Sequence, residues 1–270
     1  MTAEAMQDQI KRVAECGPLR AWSVIVSVLG DLCRAPNDKL SARVLNELIG
    51  RLGITSQTSR VAIHRLKSDG WIETQRDGRA SLYKLSATGM AQAEAVRERI
   101  YSATAPKISP ILLVGAPDMS QADFVDIVGE GAVFIAPRTA LAPAPGRNPD
   151  LMIVPFDPSS DAFKQPTWLA FALAPQQLVD DLSDLTNVVQ GITSPPASTS
   201  MFARTALRLA ILHHWRRLCL RTNPLADALL PEDWAGAQAR AVVVAALERF
   251  DRPSPDQLTE NLLQETAPRT

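Results

Sequence analysis

The chain has 270 residues, is 46% hydrophobic and 21% charged, and carries a formal net charge of −1 at pH 7, enough to bury a sizeable core in two or three domains. The longest largely apolar run, around Ala21–Leu29, falls short of the roughly 20 residues a membrane helix needs, and the polar stretch from Met1 to Glu15 is no signal peptide. Cys16, Cys33 and Cys219 are too scattered for a disulfide framework or a zinc site, which suits a reduced cytoplasmic protein without a membrane partner.

Gly17-Pro18 punctuates an N-terminal arm. Beyond it, Trp22, Ile25, Val26 and Leu29 recur at helical spacing and predict a helix ending near Gly30. The β-branched Val24, Ile25, Val26 and Val28 would also suit a strand. Pro36-Asn37 then breaks the chain. Ser41 is placed to cap a second helix carrying Val44, Leu45, Leu48, Ile49 and Leu52 on its apolar face. After a short turn at Gly53-Ile54, Thr55 or Ser56 caps a third helix running to about Asp69.

The period then changes. Trp71–Gln75 and Ser81–Leu85 read as strands joined by Arg76-Asp77-Gly78-Arg79-Ala80, where Asp-Gly signals a hairpin because the turn needs positive φ. A further helix is expected from Thr88 to Tyr101.

The middle of the chain is α/β in character. Ile111–Val114 and Val133–Ala136 read as strands, Gln121–Val128 as a short helix, and Pro137 to Pro149 as a Pro-rich loop followed by Leu151–Pro155, which is either a third strand or none. Trp168–Leu173 is read as another strand, and Pro175 opens a helix through Val189. Ser194-Pro195-Pro196-Ala197-Ser198 reads as a linker. Helices then span Phe202–Arg221 and Ala237–Phe250.

Charge is unevenly spread. Residues 1–100 hold 15 Lys+Arg against 11 Asp+Glu, whereas residues 101–200 hold 4 against 10. A basic end and an acidic middle suggest a division of labour.

Helix, short turn, helix, hairpin is the order of a winged helix-turn-helix. At 100° per residue, Ser59, Ala62, Ile63 and Leu66 gather on one side of the third helix and face the second. The opposite side collects Gln57, Val61, His64 and Ser68, flanked by Arg60 and Arg65. Such a face offers hydrogen-bonding and cationic groups to base edges and phosphates in a major groove. Arg76 and Arg79 lie at the hairpin tip, in reach of backbone phosphate or an adjacent minor groove. The DNA-contacting set is therefore Gln57, Arg60, Val61, His64, Arg65, Arg76 and Arg79.

The run Arg60-Val61-Ala62-Ile63-His64-Arg65-Leu66 through Gly70-Trp71-Ile72, with Gly78-Arg79 and Tyr83-Lys84-Leu85, resembles the recognition helix and wing of PaaX-type repressors of phenylacetate catabolism. Ala21-Trp22-Ser23-Val24-Ile25 with Gly30-Asp31 is similar to that family's first helix. The tail adds His214-Trp215-Arg216, Asn223-Pro224-Leu225 and Leu229-Leu230-Pro231-Glu232-Asp233-Trp234-Ala235-Gly236.

The resemblance implies an α+β, multidomain protein. Its parts would be a winged helix-turn-helix (1–101), a central ferredoxin-like α/β domain (102–195) and a C-terminal helical domain (196–270). It also implies a cytoplasmic homodimer that binds a double-stranded DNA operator with an inverted repeat. A small-molecule effector, phenylacetyl-CoA or a related acyl-CoA, would release that operator.

Phe202–Arg221 contains Arg204, Arg208, Arg216, Arg217 and Arg221 with His213 and His214, and no acid. Such a helix either pairs with the acidic middle or holds the phosphates of a CoA-type ligand, for which His214, Arg216 and Arg217 are the candidates. Adjacent His213 and His214 point about 100° apart on a helix and form no single metal site. Trp215 and Trp234 read as core anchors.

Enzymatic signals are weak. Gly129-Glu130-Gly131 lacks the third glycine of a dinucleotide loop, and neither G-x-S-x-G nor a P-loop occurs. Small metal-dependent nucleases use the same central fold with an acid just after the first strand, but Val114 is followed here by Gly115. No catalytic residue, metal ligand or required cofactor is assigned. The competing reading is a CoA-thioester-handling enzyme or sensor whose winged helix mediates only protein contacts.

Overall fold

The computed structural model describes residues 3–78, 80–129, 131–143, 148–155, 157–158, 160, 164–193 and 199–266. The chain divides into two compact units. One comprises Met1–Ala103, Asp184–Arg217 and Arg240–Thr270, the other Thr104–Ser183 and Leu218–Ala239.

The N-terminal arm is itself a helix, α1 (Ala3–Ala14), burying Met6, Ile10 and Val13 along one face. The next segment is α2 (Ala21–Leu32), a helix with nine of its 12 residues buried. Its β-branched residues, which would also suit a strand, are buried on the faces of a helix instead. It runs past Gly30 because Asp31 and Leu32 are themselves buried.

A short strand β1 (Leu40–Ser41) leads into α3 (Ala42–Gly50), where Ser41 Oγ accepts the Val44 N–H at 3.2 Å. The next helix, α4 (Ser56–Ser68), starts the same way, with Thr55 Oγ1 accepting the Thr58 N–H at 3.2 Å. Each hydroxyl satisfies a backbone donor that the first helical turn cannot.

Strands β2 (Ile72–Asp77) and β3 (Ala80–Leu85) pair antiparallel from Ile72↔Leu85 to Asp77↔Ala80, and β1 joins β3 to give the order β1-β3-β2. The turn carries Gly78 at φ 55°, which a side chain would strain. Helices α2, α3 and α4 pack against one another, and α4 also contacts β2.

The helix expected over Thr88 to Tyr101 is two, α5 (Ala87–Ala95) and α6 (Arg97–Tyr101), stepping at Val96. The pieces answer to different partners. Gly89 of α5 lies so close to the Trp71 carbonyl that a Cβ there would clash with its oxygen. The Ile100 carbonyl of α6 instead accepts the Trp215 indole N–H at 2.8 Å.

The second unit contains β4 (Ile111–Gly115), α7 (Gln121–Val128), β5 (Val133–Ala136), β6 (Thr139–Ala142) and β7 (Leu151–Pro155). Its sheet runs β5-β6-β4-β7 with every neighbouring pair antiparallel. Phe124 and Val128 of α7 pack on Leu113, Ala140, Ala142 and Leu151. Strand β6 lies inside the stretch expected to be Pro-rich loop. Its Ala140, Leu141 and Ala142 are buried, so packing made a strand where prolines on both sides suggested none.

Trp168–Leu173, expected as a strand, lies within helix α8 (Thr167–Leu173). A short continuous apolar run carries no distinguishing period. Here the spacing of the buried pair, Leu169 and Leu173, is that of one helix face, and Trp168 and Phe171 stay exposed.

Helices α9 (Gln176–Gln190), α10 (Met201–Arg221), α11 (Ala226–Leu229), α12 (Ala235–Arg249) and α13 (Pro255–Thr266) complete the chain. The Ser194–Ser198 linker lies outside the described residues. Among the described residues no helix is long and apolar enough to cross a membrane, and no group of His, Cys, Asp and Glu could hold a metal ion. The molecule is thus mixed α+β, largely helical, with two small antiparallel sheets.

Candidate nucleic-acid interface

Helix α4 has the two faces that its periodicity predicts. Ser59, Ala62, Ile63 and Leu66 are buried, while Gln57, Arg60, Val61, His64, Arg65 and Ser68 are exposed. Val61 is 68% exposed, in the centre of that outer face. The Arg60 guanidinium Nε reaches its own helix at the Ser56 carbonyl, 3.4 Å away, a weak tie that leaves its outer nitrogens to other partners. Arg65 Nε lies 3.5 Å from Asp69 Oδ2, and its guanidinium stands 5.9 Å from the centre of the Trp22 ring. With both charges largely exposed, that ion pair contributes little to stability and can be exchanged for another anion.

Sequence reasoning missed Trp22 as part of this surface. Together with Gln57, Thr58, Val61 and Arg65, it lines a groove of about 490 Å³ between the start of α2 and α4. The available signal was its place in the first turn of α2.

Arg76 is exposed near the end of β2, and Arg79 lies outside the described residues. Among its described residues the ribbon carries an internal ion pair, Lys84 Nζ to Glu73 Oε2 at 3.1 Å. The structure brings Gln57, Arg60, Val61, His64 and Arg65 onto one surface, with Arg76 on the ribbon that follows in the same unit.

Helix α2, on which α4 packs, is held by a buried polar network that the sequence did not disclose. Asp31 of α2, the one charged residue in that helix, accepts Arg208 Nε at 2.8 Å on Oδ2 and Arg208 Nη2 at 3.0 Å on Oδ1. Arg208 Nη1 donates to the carbonyls of Leu247 and Phe250, at the end of α12. The Tyr101 hydroxyl reaches Asp31 Oδ1 at 2.9 Å, and Arg34 Nη2 lies 3.3 Å from the same oxygen. Burial by itself would raise the Asp31 carboxyl. The Arg208 guanidinium, then Tyr101 and Arg34, outweigh it and hold the group below the ordinary carboxylate range. A lone acid in an apolar helix was the signal available in the sequence.

The arginines of α10 do not act together. Arg208 takes its carboxylate from α2, whereas Arg221 Nη1 lies 3.3 Å from Asp181 in the acidic middle region. Arg216 and Arg217 are half-buried, and burial lowers the pKa of the Arg216 guanidinium. A Cβ on Gly17 would come within 2.5 Å of Arg217 Nη2, so the α1–α2 turn closes over that side chain. His214 is fully buried, beside His213 at a ring separation of 5.3 Å. Trp215 is buried in the first unit as an anchor, and the Trp234 indole N–H donates to Asp227 Oδ1 at 3.0 Å in the second. All three cysteines are free thiols.

Comparison with known proteins places both ends of the chain. Residues 20–89 match the model of the PaaX-like protein family, and residues 173–260 match the model of the PaaX-like protein C-terminal domain. Transcriptional repressor PaaX of Escherichia coli (strain K12) is 23% identical over 263 residues, covering 89% of this chain and 83% of its own length. Among solved structures, uncharacterized protein Rv0674 from Mycobacterium tuberculosis superposes with a TM-score of 0.51 at 21% identity. That match spans 90% of this chain and 100% of the other, so the fold is shared along nearly the whole length. With matches to both its N-terminal and its C-terminal models, the chain belongs to the PaaX-like protein family.

Proposed function

We propose that the chain is a sequence-specific DNA-binding transcriptional repressor that reads its operator with α4 and braces the duplex with the β2–β3 ribbon. The observation that carries this reading is the outer face of α4. Gln57, Arg60, Val61, His64 and Arg65 are all exposed on the second helix of a helix-turn-helix, followed by a two-stranded wing. The relationship to a protein named as a transcriptional repressor supports it.

The strand order β5-β6-β4-β7 is that of a ferredoxin-like sheet read from one edge, which supports that identity for the middle region. A homodimer would set two α4 helices against an inverted repeat. An acyl-CoA effector, phenylacetyl-CoA or a relative, would bind with Arg216 and Arg217 at its phosphates, guanidinium groups being suited to bidentate phosphate contact.

The DNA reading is tested by selecting preferred duplexes from a random pool and comparing two variants. Arg60→Ala is expected to cost about 1–3 kcal/mol on the selected site and far less on random duplex. Arg76→Ala is expected to weaken both alike and to flatten the slope of log affinity against log salt by about one unit. Unchanged affinity of Arg60→Ala for the selected site sinks the assignment of α4.

The effector reading has its own check. Calorimetry with phenylacetyl-CoA, run with and without the selected duplex, should give weaker binding when DNA is present, by the same factor as the ligand weakens DNA binding. Equal affinity in both conditions overturns the switch and leaves DNA reading intact.

A further inference from the structure

We infer that Val61 gives this protein a preference for thymine at one position, by packing against the C5 methyl group of that base in the major groove. The inference rests on the reading of α4 as the base-contacting helix.

Val61 is 68% exposed, the most exposed large apolar side chain among the described residues. Its environment makes that exposure unusual. Gln57 stands one turn before it and His64 nearly one turn after it on the same face, and Arg60 and Arg65 flank it. Every neighbour on that face can donate a hydrogen bond or carries charge. Valine cannot. It is also a weaker helix former than alanine, because its branched Cβ loses rotamer freedom against the preceding turn. In the free protein an exposed valine there adds nothing that alanine would not supply more cheaply, so its use lies in what covers it.

The chemistry of the covering group follows from the duplex. Among the four base-pair edges in the major groove, the thymine C5 methyl is the single apolar feature, and the other features are hydrogen-bond donors and acceptors. Val61 is the sixth residue of α4, within the N-terminal part of the helix that enters the groove in this class of motif. The groove of about 490 Å³ beside it, with the Trp22 ring on its far side, continues the apolar surface towards α2. A methyl group seated on Val61 would lose water contact at little steric cost, since no protein atom has to move aside. Arg60 and Gln57 would meanwhile meet the polar edges of adjacent pairs.

The test uses the full chain and duplexes selected from a random pool. Each thymine in the selected site is replaced in turn by deoxyuridine, which removes the C5 methyl and nothing else. At least one replacement is expected to cost about fourfold in affinity, the value of one buried methylene-sized group. In Val61→Ala that step should vanish while the preference at the other positions persists. Val61→Thr, which keeps one methyl branch, should retain part of it.

Both variants should fold as the wild type does, because the side chain is exposed, and thermal unfolding confirms it. If deoxyuridine is tolerated everywhere, or costs the same in Val61→Ala as in the wild type, the inference is overturned although α4 still reads DNA. If no duplex is preferred over another, the reading of α4 falls and the thymine preference falls with it.

Discussion

Arg208→Met is expected to lose about 3–5 kcal/mol of stability, measured as a lowered urea midpoint at an unchanged slope. The Asp31 and Arg208 side chains are 0% and 6% exposed and meet through two near-parallel hydrogen bonds. Removing the guanidinium leaves a buried carboxylate with the Tyr101 hydroxyl and the more exposed Arg34 and Arg252 for company. The Leu247 and Phe250 carbonyls lose their donor in the same stroke. Arg208→Lys, which keeps the charge and loses the fork, should fall between wild type and Met.

The double variant Asp31→Leu/Arg208→Met identifies the cause. A buried pair replaced as a whole by apolar side chains is often close to neutral, so much of the loss should be recovered. A double variant as unstable as the single would show that the unpaired carboxylate is not the cause. A loss below about 1 kcal/mol in Arg208→Met would mean that the pair does not hold α2, α10 and α12 together. Because α2 packs directly on α4, the single variant should weaken DNA binding too, although no atom of Arg208 lies on the outer face.

The second large effect is acid lability from pH 6.5 downward. His213 and His214 are buried, 1% and 0% exposed, and burial is the first cause that depresses both pKa values, to about 4 and about 3. The charges of Arg216 and Arg217 push His213 the same way, with the Pro18 backbone opposing. His213 and Arg217 do so for His214, with Ala14 opposing. His213 Nδ1 lies 3.2 Å from Ser27 Oγ, which links α10 to α2 with both imidazoles neutral.

An unfolded chain protonates these imidazoles near their ordinary 6.5, so between pH 6.5 and 4 it binds protons that the folded chain refuses. Stability is therefore full above pH 6.5 and falls as the pH drops, by roughly 2 kcal/mol for each histidine at pH 5. Asp31 plays no part in that window, because its lowered pKa matters only beneath the ordinary 3.8. Urea midpoints from pH 7.5 to 5 should show the slope, and His214→Leu should remove about half of it. A flat profile across that range would mean that both imidazoles take up a proton in the folded state, and half the slope that one of them does.

Local chemistry decided what was legible in the sequence. Ser41 and Thr55 cap α3 and α4 as their side chains allow, Gly78 takes the positive φ of the hairpin turn, and the inner and outer faces of α4 separate as a 3.6-residue period requires. Each depends on residues within a few positions of one another, and on backbone geometry common to all proteins. The candidate surface was readable for the same reason, since one helix carries most of it.

Packing between distant segments decided the rest. The apolar segment Thr167–Leu173 became a helix and Thr139–Ala142 a strand according to which neighbours each could bury against, a choice that no local period encodes. The partners of Asp31 and Ser27 on α10 lie 177 and 186 residues away, beyond any spacing rule. The faces and ends of the helices that carry the interface were thus written in local residue order. Which buried charges and imidazoles stand behind them was settled only in the folded chain, because burial depends on where distant segments meet.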